Sequence, residues 1–352
     1  MATPPAGYKG RGAAGNPAGR FELFERERDP QADELGNAPV TVVETRSART
    51  IIACNDSPDI PFAQSINPYQ GCEHGCIYCY ARPSHAYMGL SPGLDFETRI
   101  YAKVNAAELL RKELSRPGYR CDIVAIGSNT DPYQPVERDL YITRGVLEVL
   151  REFCHPVGIV TKSALVERDI QVLAPMAAEG LAEVFVSIAT LDADIARQLE
   201  PRAAAPFRRV ETLRRLVEAG IPCGVFVAPV IPFLNDKDIE RILDRAAGAG
   251  VTRAGYQLLR LPHEVKDLFQ DWLVRRYPLK AAHVMARVRD LRGGKANDPR
   301  FGSRMTGEGR YADLMRQRFD VACRRFGLNG SRSGRLDTSK FRVPGTEQMT
   351  LL

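Results

Sequence analysis

An α/β fold, a partial (β/α)6 barrel with an N-terminal arm and a basic C-terminal extension, is expected for this chain on three grounds. Short apolar runs without polar alternation recur between residues 62 and 275, which is how parallel strands covered on both faces read. Between them lie segments with apolar residues at helical spacing, such as Val210, Leu213 and Val217. Several of those segments stop at a glycine suited to a left-handed C-cap, as at Gly180, Gly220 and Gly250.

Residues 1–40 mix Gly, Pro and charge without periodicity and are expected to form a flexible arm, because they cannot bury enough apolar area to offset chain entropy. Residues 41–61, "TVVETRSARTIIACNDSPDIP", suit a strand or hairpin ahead of the barrel. Strand one is then "FAQSINPY", strand two "CDIVAIG", strand three "VGIVTK", strand four "EVFVSIAT", strand five "CGVFVAPV" and strand six "AGYQLLRL". The helices alternating with them are "FETRIYAKVNAAELLRKEL", "ITRGVLEVLREF", "ERDIQVLAPMAAEG", "RRVETLRRLVEAG", "DKDIERILDRAAGAG" and "EVKDLFQDWLVRRY". Right-handed crossovers curl such a sheet into a barrel whose chemistry sits at the carboxyl ends of the strands. The barrel thus occupies 62–275, followed by a basic extension over 276–335 and a tail over 336–352.

With 352 residues and 44% hydrophobic content the chain can bury a large core. No apolar run approaches the roughly 20 residues of a membrane span, and the start has no apolar export region, so a cytoplasmic protein without membrane partners is expected. In that compartment eight cysteines point to metal or redox chemistry rather than to disulfides. Formal charge is +6, but Arg275 to Arg335 holds 16 basic and 5 acidic residues, a local +11. Two readings of that segment stay open. Its glycines, with Phe301 and Tyr311, could let phosphates approach and bases stack, making nucleic acid a candidate partner. Alternatively it is a lid over the open sheet edge, with Arg292, Arg300, Arg304 and Arg310 turned inward onto carboxylates or carbonyls.

The stretch "GCEHGCIYCY" places Cys72, Cys76 and Cys79 as Cys-x3-Cys-x2-Cys directly after strand one, on the carboxyl face. A structural zinc site closes at four ligands and would need His74 or His85 as well. A [4Fe–4S] cluster on three thiolates instead leaves one iron free to take a ligand. Cys54, Cys121, Cys154, Cys223 and Cys323 are scattered and read as core residues.

That cysteine spacing, with an aromatic residue before the third cysteine and a six-fold β/α partial barrel around it, resembles the radical S-adenosylmethionine (radical SAM) superfamily. The resemblance implies a [4Fe–4S] cluster on Cys72, Cys76 and Cys79 whose open iron chelates S-adenosylmethionine (SAM). One electron, from a donor such as flavodoxin or ferredoxin, would cleave SAM to a 5′-deoxyadenosyl radical. SAM needs acceptors for its amine and a cation for its carboxylate at strand ends. Ser128, Asn129, Thr130 and Asp131 in "GSNTDPYQPVE" supply acceptors, Lys162 ends strand three, Ser187 lies on strand four, and Arg202 and Arg260 follow strands four and six. For Lys162, the alternative is an ordinary surface lysine after a strand. Tyr78 takes the place of a residue that packs near the adenosyl group.

Within the superfamily, "GCIYCYARPSH", "TDPYQPVE", "TKS" and "SIAT" resemble the group related to spore photoproduct lyase, which reverses a thymine photoproduct in DNA. Tyr78 and Tyr80 match a tyrosine pair that relays a hydrogen atom there, which makes them the catalytic candidates, and Lys162 and Ser187 match SAM contacts. One departure matters. The hydrogen-donor cysteine of that group ends strand two, where this chain has Gly127 and Ser128, while Cys121 begins the strand at the opposite face. A serine O–H bond is too strong to donate hydrogen to a carbon radical efficiently, so photoproduct reversal by that route is not implied. The expected function is a radical SAM enzyme abstracting hydrogen from an unidentified substrate, nucleic acid being one candidate. The rival is a non-catalytic iron–sulfur or zinc protein that binds nucleic acid through its basic segment.

Overall fold

The computed structural model describes residues 7–22, 39–330 and 336–345. Its strands are β1 (Val42–Arg46), β2 (Ile52–Cys54), β3 (Gln64–Ile66), β4 (Tyr69–Gln70), β5 (Arg99–Lys103), β6 (Val124–Ile126), β7 (Val157–Thr161), β8 (Ala182–Ser187), β9 (Cys223–Val230) and β10 (Arg253–Leu258). The larger sheet runs β10-β9-β8-β7-β6-β3-β2. Its six strands from β3 to β10 are parallel, and β2 pairs antiparallel at one edge. Ile66, Ile126, Ile159 and Val184 stand in register across four of them, all fully buried. The six expected strands are thus present in the expected order. β2 adds a seventh from the pre-barrel segment.

The helices are α1 (Asp95–Thr98), α2 (Ala106–Leu114), α3 (Glu137–Leu140), α4 (Ile142–Glu152), α5 (Ile170–Ala178), α6 (Ala193–Leu199), α7 (Pro206–Glu218), α8 (Ile239–Gly248), α9 (Val265–Arg276), α10 (Pro278–Asp290), α11 (Ser303–Thr306) and α12 (Arg310–Phe326). Gly180, Gly220 and Gly250 adopt φ of +74°, +78° and +87°, the left-handed conformation expected after helices α5, α7 and α8. One expectation fails. The segment "FETRIYAK" was expected to open one continuous helix, but Arg99–Lys103 is strand β5, so the expected helix is split into Phe96–Thr98 at the end of α1 and Ala106–Leu114 in α2. Ile100, Tyr101 and Ala102 are buried between β1 and β4, with which β5 forms a second, three-stranded sheet. Pairing on both sides outweighs the local helical pattern.

The arm expected over residues 1–40 is also different where it is described. Residues 7–22 pack as a strap against the cysteine loop, with Ala13 and Ala14 buried. Residues 1–6 and 23–38 lie outside the described residues.

The basic extension closes the barrel. Asn329 accepts from Ala254 N–H (2.8 Å) and donates to Ala254 C=O (3.0 Å), so one amide side chain satisfies a residue of edge strand β10. Tyr256 of β10 packs on Phe319 of α12. Arg304 pairs with Asp59 in the loop between β2 and β3, and Gly302 N–H donates to the same carboxylate, so α11 bridges from the β10 end of the sheet to the β2 end. Arg292, almost unexposed, donates to the carbonyls of Ser303, Arg304, Leu258 and Leu259. Arg300 finds Asp298 and Glu308 but faces solvent, and Arg310 is exposed. Two of the four arginines named for a lid therefore turn inward. From the tail, Phe341 packs on Tyr119, Phe153 and His155 at the amino-terminal end of the strands.

Candidate cluster and cofactor site

The cysteine loop begins where β4 ends. Gly71 takes φ +81°, and a Cβ there would lie 2.8 Å from the Arg99 carbonyl. Gly75 takes φ +67°, and a Cβ there would meet the Glu97 carboxylate at 2.7 Å. Both positions need the missing side chain. The interior of the loop is occupied by Arg82, which has no exposure and donates to the carbonyls of Cys76 (2.9 Å), Gly75 (3.1 Å), Pro92 (3.1 Å) and Gly93 (2.9 Å). Its charge is met by Glu97, also unexposed. Glu97 in turn accepts from the N–H groups of Gly12 (3.0 Å) and Ala13 (2.9 Å), fastening the strap over the loop.

Cys72 and Cys76 are 7% exposed and Cys79 is partly buried. Burial, with the neighbouring Glu200 carboxylate, pushes the Cys76 thiol up to about 12, and burial raises Cys72 and Cys79 as well. Binding iron would deprotonate such thiols outright. Among the described residues no set of three or more His, Cys, Asp or Glu side chains converges on a single metal ion. A zinc ion with Zn–S bonds of about 2.3 Å needs its sulfurs drawn together, whereas a [4Fe–4S] cube takes one thiolate at each of three corners. The two histidines that a zinc site would need are otherwise engaged. His85 Nε2 sits 3.0 Å from the Arg99 carbonyl with its ring against Phe96. His74 Nδ1 lies 3.3 Å from Asp131 Oδ2, close enough for an ion pair but off the angle of a hydrogen bond. A short buried loop with three thiols, two structural histidines and nearby cations fits a three-thiolate cluster.

Lys162 follows β7 at the carboxyl end. Its ammonium lies 6.0 Å over the ring of Tyr78. Burial works to lower its pKa, but Cys76 and Glu200 more than offset that and hold it above the ordinary value. Tyr78, 8% exposed, donates its hydroxyl to Glu200, which pairs with Arg209; Arg209 donates to the Ser187 carbonyl (2.9 Å). Burial pushes the Tyr78 phenol far up, with Glu200 adding to it. Glu200 stays ionised, because Arg209 and Lys162 outweigh its burial. Sequence reasoning missed Glu200 and Arg209. A signal for Arg209 existed, since it falls with Thr212, Leu213 and Leu216 on the buried stripe of α7, where an apolar residue belongs.

The other candidates separate into two groups. Ser187 is buried and bonds the Ala228 carbonyl (3.2 Å), beside the Lys162 group. Asp131, expected as an acceptor for the SAM amine, is engaged locally: it accepts from Thr161 Oγ1 (2.7 Å), Lys162 N–H (2.7 Å) and Tyr133 N–H (2.9 Å). Burial raises its pKa, yet His74 and these donors hold it down at about 2. It therefore fixes the start of the Lys162 turn. Thr130 donates to the Tyr69 carbonyl (3.0 Å), and Asn67 holds the Asn129 N–H (3.0 Å) and Ser128 Oγ (3.4 Å). Tyr80 leaves its ring half exposed and donates its hydroxyl to the Ser128 carbonyl. Arg202 turns to the flank of the loop, to Glu73 Oε1 (3.1 Å) and Thr41 Oγ1 (3.2 Å). There it lines a groove of about 370 Å³ with His74, Arg138 and Arg208, to which neither Lys162 nor the cysteines contribute. Of Gly127 and Ser128, the pair expected where the lyase-like group carries its donor cysteine, Gly127 has φ +93°, and a Cβ there would lie 2.1 Å from the Val160 carbonyl, so Gly127 itself admits no side chain.

Comparison with known proteins identifies the family and a similar fold. Residues 66–246 match the sequence profile of the radical SAM superfamily, just over half of the chain. An uncharacterized protein of Mycobacterium tuberculosis H37Rv is 34% identical over 274 residues, covering 77% of this chain and 78% of that protein. One of Methanocaldococcus jannaschii is 26% identical over 201 residues, covering 57% and 71%. Among solved structures, spore photoproduct lyase complexed with a dinucleoside spore photoproduct has a similar fold, with TM-score 0.58 at 16% identity over 81% of this chain and 80% of that one. A mutant of that lyase with bound AdoMet and the dinucleoside photoproduct gives 0.52 at 16% identity, covering 82% and 80%.

Proposed function

The chain belongs to the radical SAM superfamily, whose members use a [4Fe–4S] cluster and SAM, and on that footing we propose that Cys72, Cys76 and Cys79 hold the cluster while Lys162 receives the SAM carboxylate. The observation that carries this is Lys162 itself. It is a partly buried ammonium at a strand end, over Tyr78 and beside Cys76, with no ion pair to a carboxylate among the described residues. When bound, cluster and SAM together supply a 5′-deoxyadenosyl radical able to abstract hydrogen.

The chain's own groups then have separable tasks. Arg82 and Glu97 keep the loop in shape. Asp131 positions the Lys162 backbone through its N–H. Glu200 and Arg209 hold the Tyr78 ring beneath the ammonium. Of the two tyrosines, Tyr80 is the better placed to meet substrate, because Tyr78 is buried and its hydroxyl is committed to a carboxylate. Ser128, Asn129 and Thr130 frame the mouth after β6 through Asn67 and the Tyr69 carbonyl, and Ser187 lies on β8, where its carbonyl takes the Arg209 guanidinium. The substrate is a C–H donor to be identified. Nucleic acid remains the candidate for the basic extension, and its test is a salt-dependent gel shift, since each phosphate contact steepens the log–log slope by about 0.9 on duplex DNA. The reductant is a small electron carrier such as flavodoxin or ferredoxin. No described helix is long and apolar enough to cross a membrane, and we place the enzyme in the cytoplasm.

The test is anaerobic reconstitution followed by iron and sulfide analysis and an assay for 5′-deoxyadenosine under reduction. About four irons and four sulfides per chain with 5′-deoxyadenosine release support the reading. One zinc and no sulfide overturns it.

A further inference from the structure

The two tyrosines flanking Cys79 each lie beneath a cation. Lys162 stands over Tyr78, and the Arg260 guanidinium stands 5.8 Å over the Tyr80 ring. Arg260 follows β10 on the carboxyl face, three strands from Lys162. Among the described residues its Nη1 meets only the Met305 thioether, at 3.4 Å, a weak acceptor. Its Nε is buried without a hydrogen-bond partner among the described residues.

Neighbouring arginines do not share this condition. Arg292 donates to four carbonyls and Arg304 pairs with Asp59. Their charges act on Arg260 or are acted on by it, and Asp59, a carboxylate whose charge reaches Arg260, is already held by Arg304 and the Gly302 N–H. Burial and the like charge of Arg304 accordingly depress the Arg260 pKa below its ordinary value. A guanidinium withdrawn from water without an anion is costly unless a ligand supplies one. Its planar fork of donors matches an oxyanion in two-point contact.

We propose that Arg260 anchors an oxyanion of the substrate, a phosphate or a carboxylate, against the face of Tyr80. The proposal rests on the reading above that this end of the barrel binds SAM and substrate, and it adds the chemical class. The reacting molecule carries a negative charge within reach of Tyr80. Lys162 serves the cofactor and Arg260 serves the substrate, so the two cations sort two anionic ligands across one mouth.

The experiment uses the full-length, anaerobically reconstituted protein. Inorganic phosphate, dimethyl phosphate and acetate are titrated calorimetrically into wild type, Arg260→Gln, Arg260→Lys and Lys162→Ala, and SAM is titrated into the same set. At least one oxyanion should bind wild type, with affinity reduced roughly tenfold or more in Arg260→Gln and less in Arg260→Lys. Lys162→Ala should give the reverse pattern, losing SAM and keeping the oxyanion. Which probe binds tells phosphate from carboxylate. Equal oxyanion affinity in wild type and Arg260→Gln, or no binding of any probe to wild type, overturns the proposal; if Arg260→Gln does not fold, Arg260→Lys decides on the same criterion. The two readings fail separately: a wild type that binds an oxyanion through Arg260 but never binds SAM would sink the cofactor assignment alone.

Discussion

Arg82 and Glu97 form an ion pair with no solvent exposure on the inner side of the cysteine loop. Removing one partner leaves the other charge buried and unpaired, which typically costs about 3–5 kcal/mol. Glu97→Ala should therefore destabilise the apo-protein by that order in urea unfolding and impair cluster assembly. Removing both charges, as in Arg82→Met with Glu97→Leu, should recover part of the loss. Equal stability of wild type and Glu97→Ala would mean the pair does not organise the loop.

Gly12 in the strap approaches the loop so closely that a Cβ would lie 1.9 Å from the Gly75 carbonyl. Gly12→Val should lift the strap from the loop, seen as faster tryptic cleavage near Arg11 and faster bleaching of the reconstituted cluster in air. Unchanged rates in both assays would show that the strap can shift at no cost.

Lys162→Ala deletes a charge-assisted contact worth about 1.5–3 kcal/mol, so SAM affinity should fall by roughly 10- to 150-fold with little loss of stability. Unaltered SAM affinity in this variant would take Lys162 out of the site.

At the far end of the barrel, His155 is fully buried; its Nδ1 donates to the Pro156 carbonyl (3.0 Å) and its Nε2 lies 2.9 Å from the Tyr119 hydroxyl. Burial lowers its pKa from 6.5 to about 4, against small opposing effects of Pro156 and Asp122. Between those values the unfolded chain binds more protons than the folded one, so stability rises with pH there. Its contribution is full above about 6.5 and is lost as pH falls toward 4, by up to about 3 kcal/mol. Urea unfolding at pH 7 and pH 4.5 should show a shallower pH dependence in His155→Gln than in wild type. Parallel curves would contradict the assignment.

Much of this arrangement is legible in the residues. Parallel strands β6, β7, β8 and β9 announce themselves as largely apolar runs, whereas β3 and β10 carry polar residues, and the helix ends are marked by glycines that must be left-handed. The cysteine loop is legible because its spacing is local. What escapes is held by contacts remote in sequence. Strand β5 resembles part of a helix until β1 and β4 flank it. The strap has no periodicity of its own, and its order comes from a carboxylate 85 residues away that takes the Gly12 N–H. Asp131 looks like a ligand acceptor, but its oxygens are taken by Thr161 and the Lys162 backbone, contacts that only the sheet order creates.

If Cys72, Cys76 and Cys79 hold the cluster, its fourth iron is open to SAM. The most direct measurement is the electron paramagnetic resonance spectrum of the reconstituted, dithionite-reduced protein, recorded with and without SAM. A reduced [4Fe–4S] signal whose g-values shift on adding SAM is expected, with a smaller shift at the same concentration in Lys162→Ala. A cluster signal that SAM leaves unchanged in wild type, or no cluster signal from protein holding zinc, would contradict the assignment.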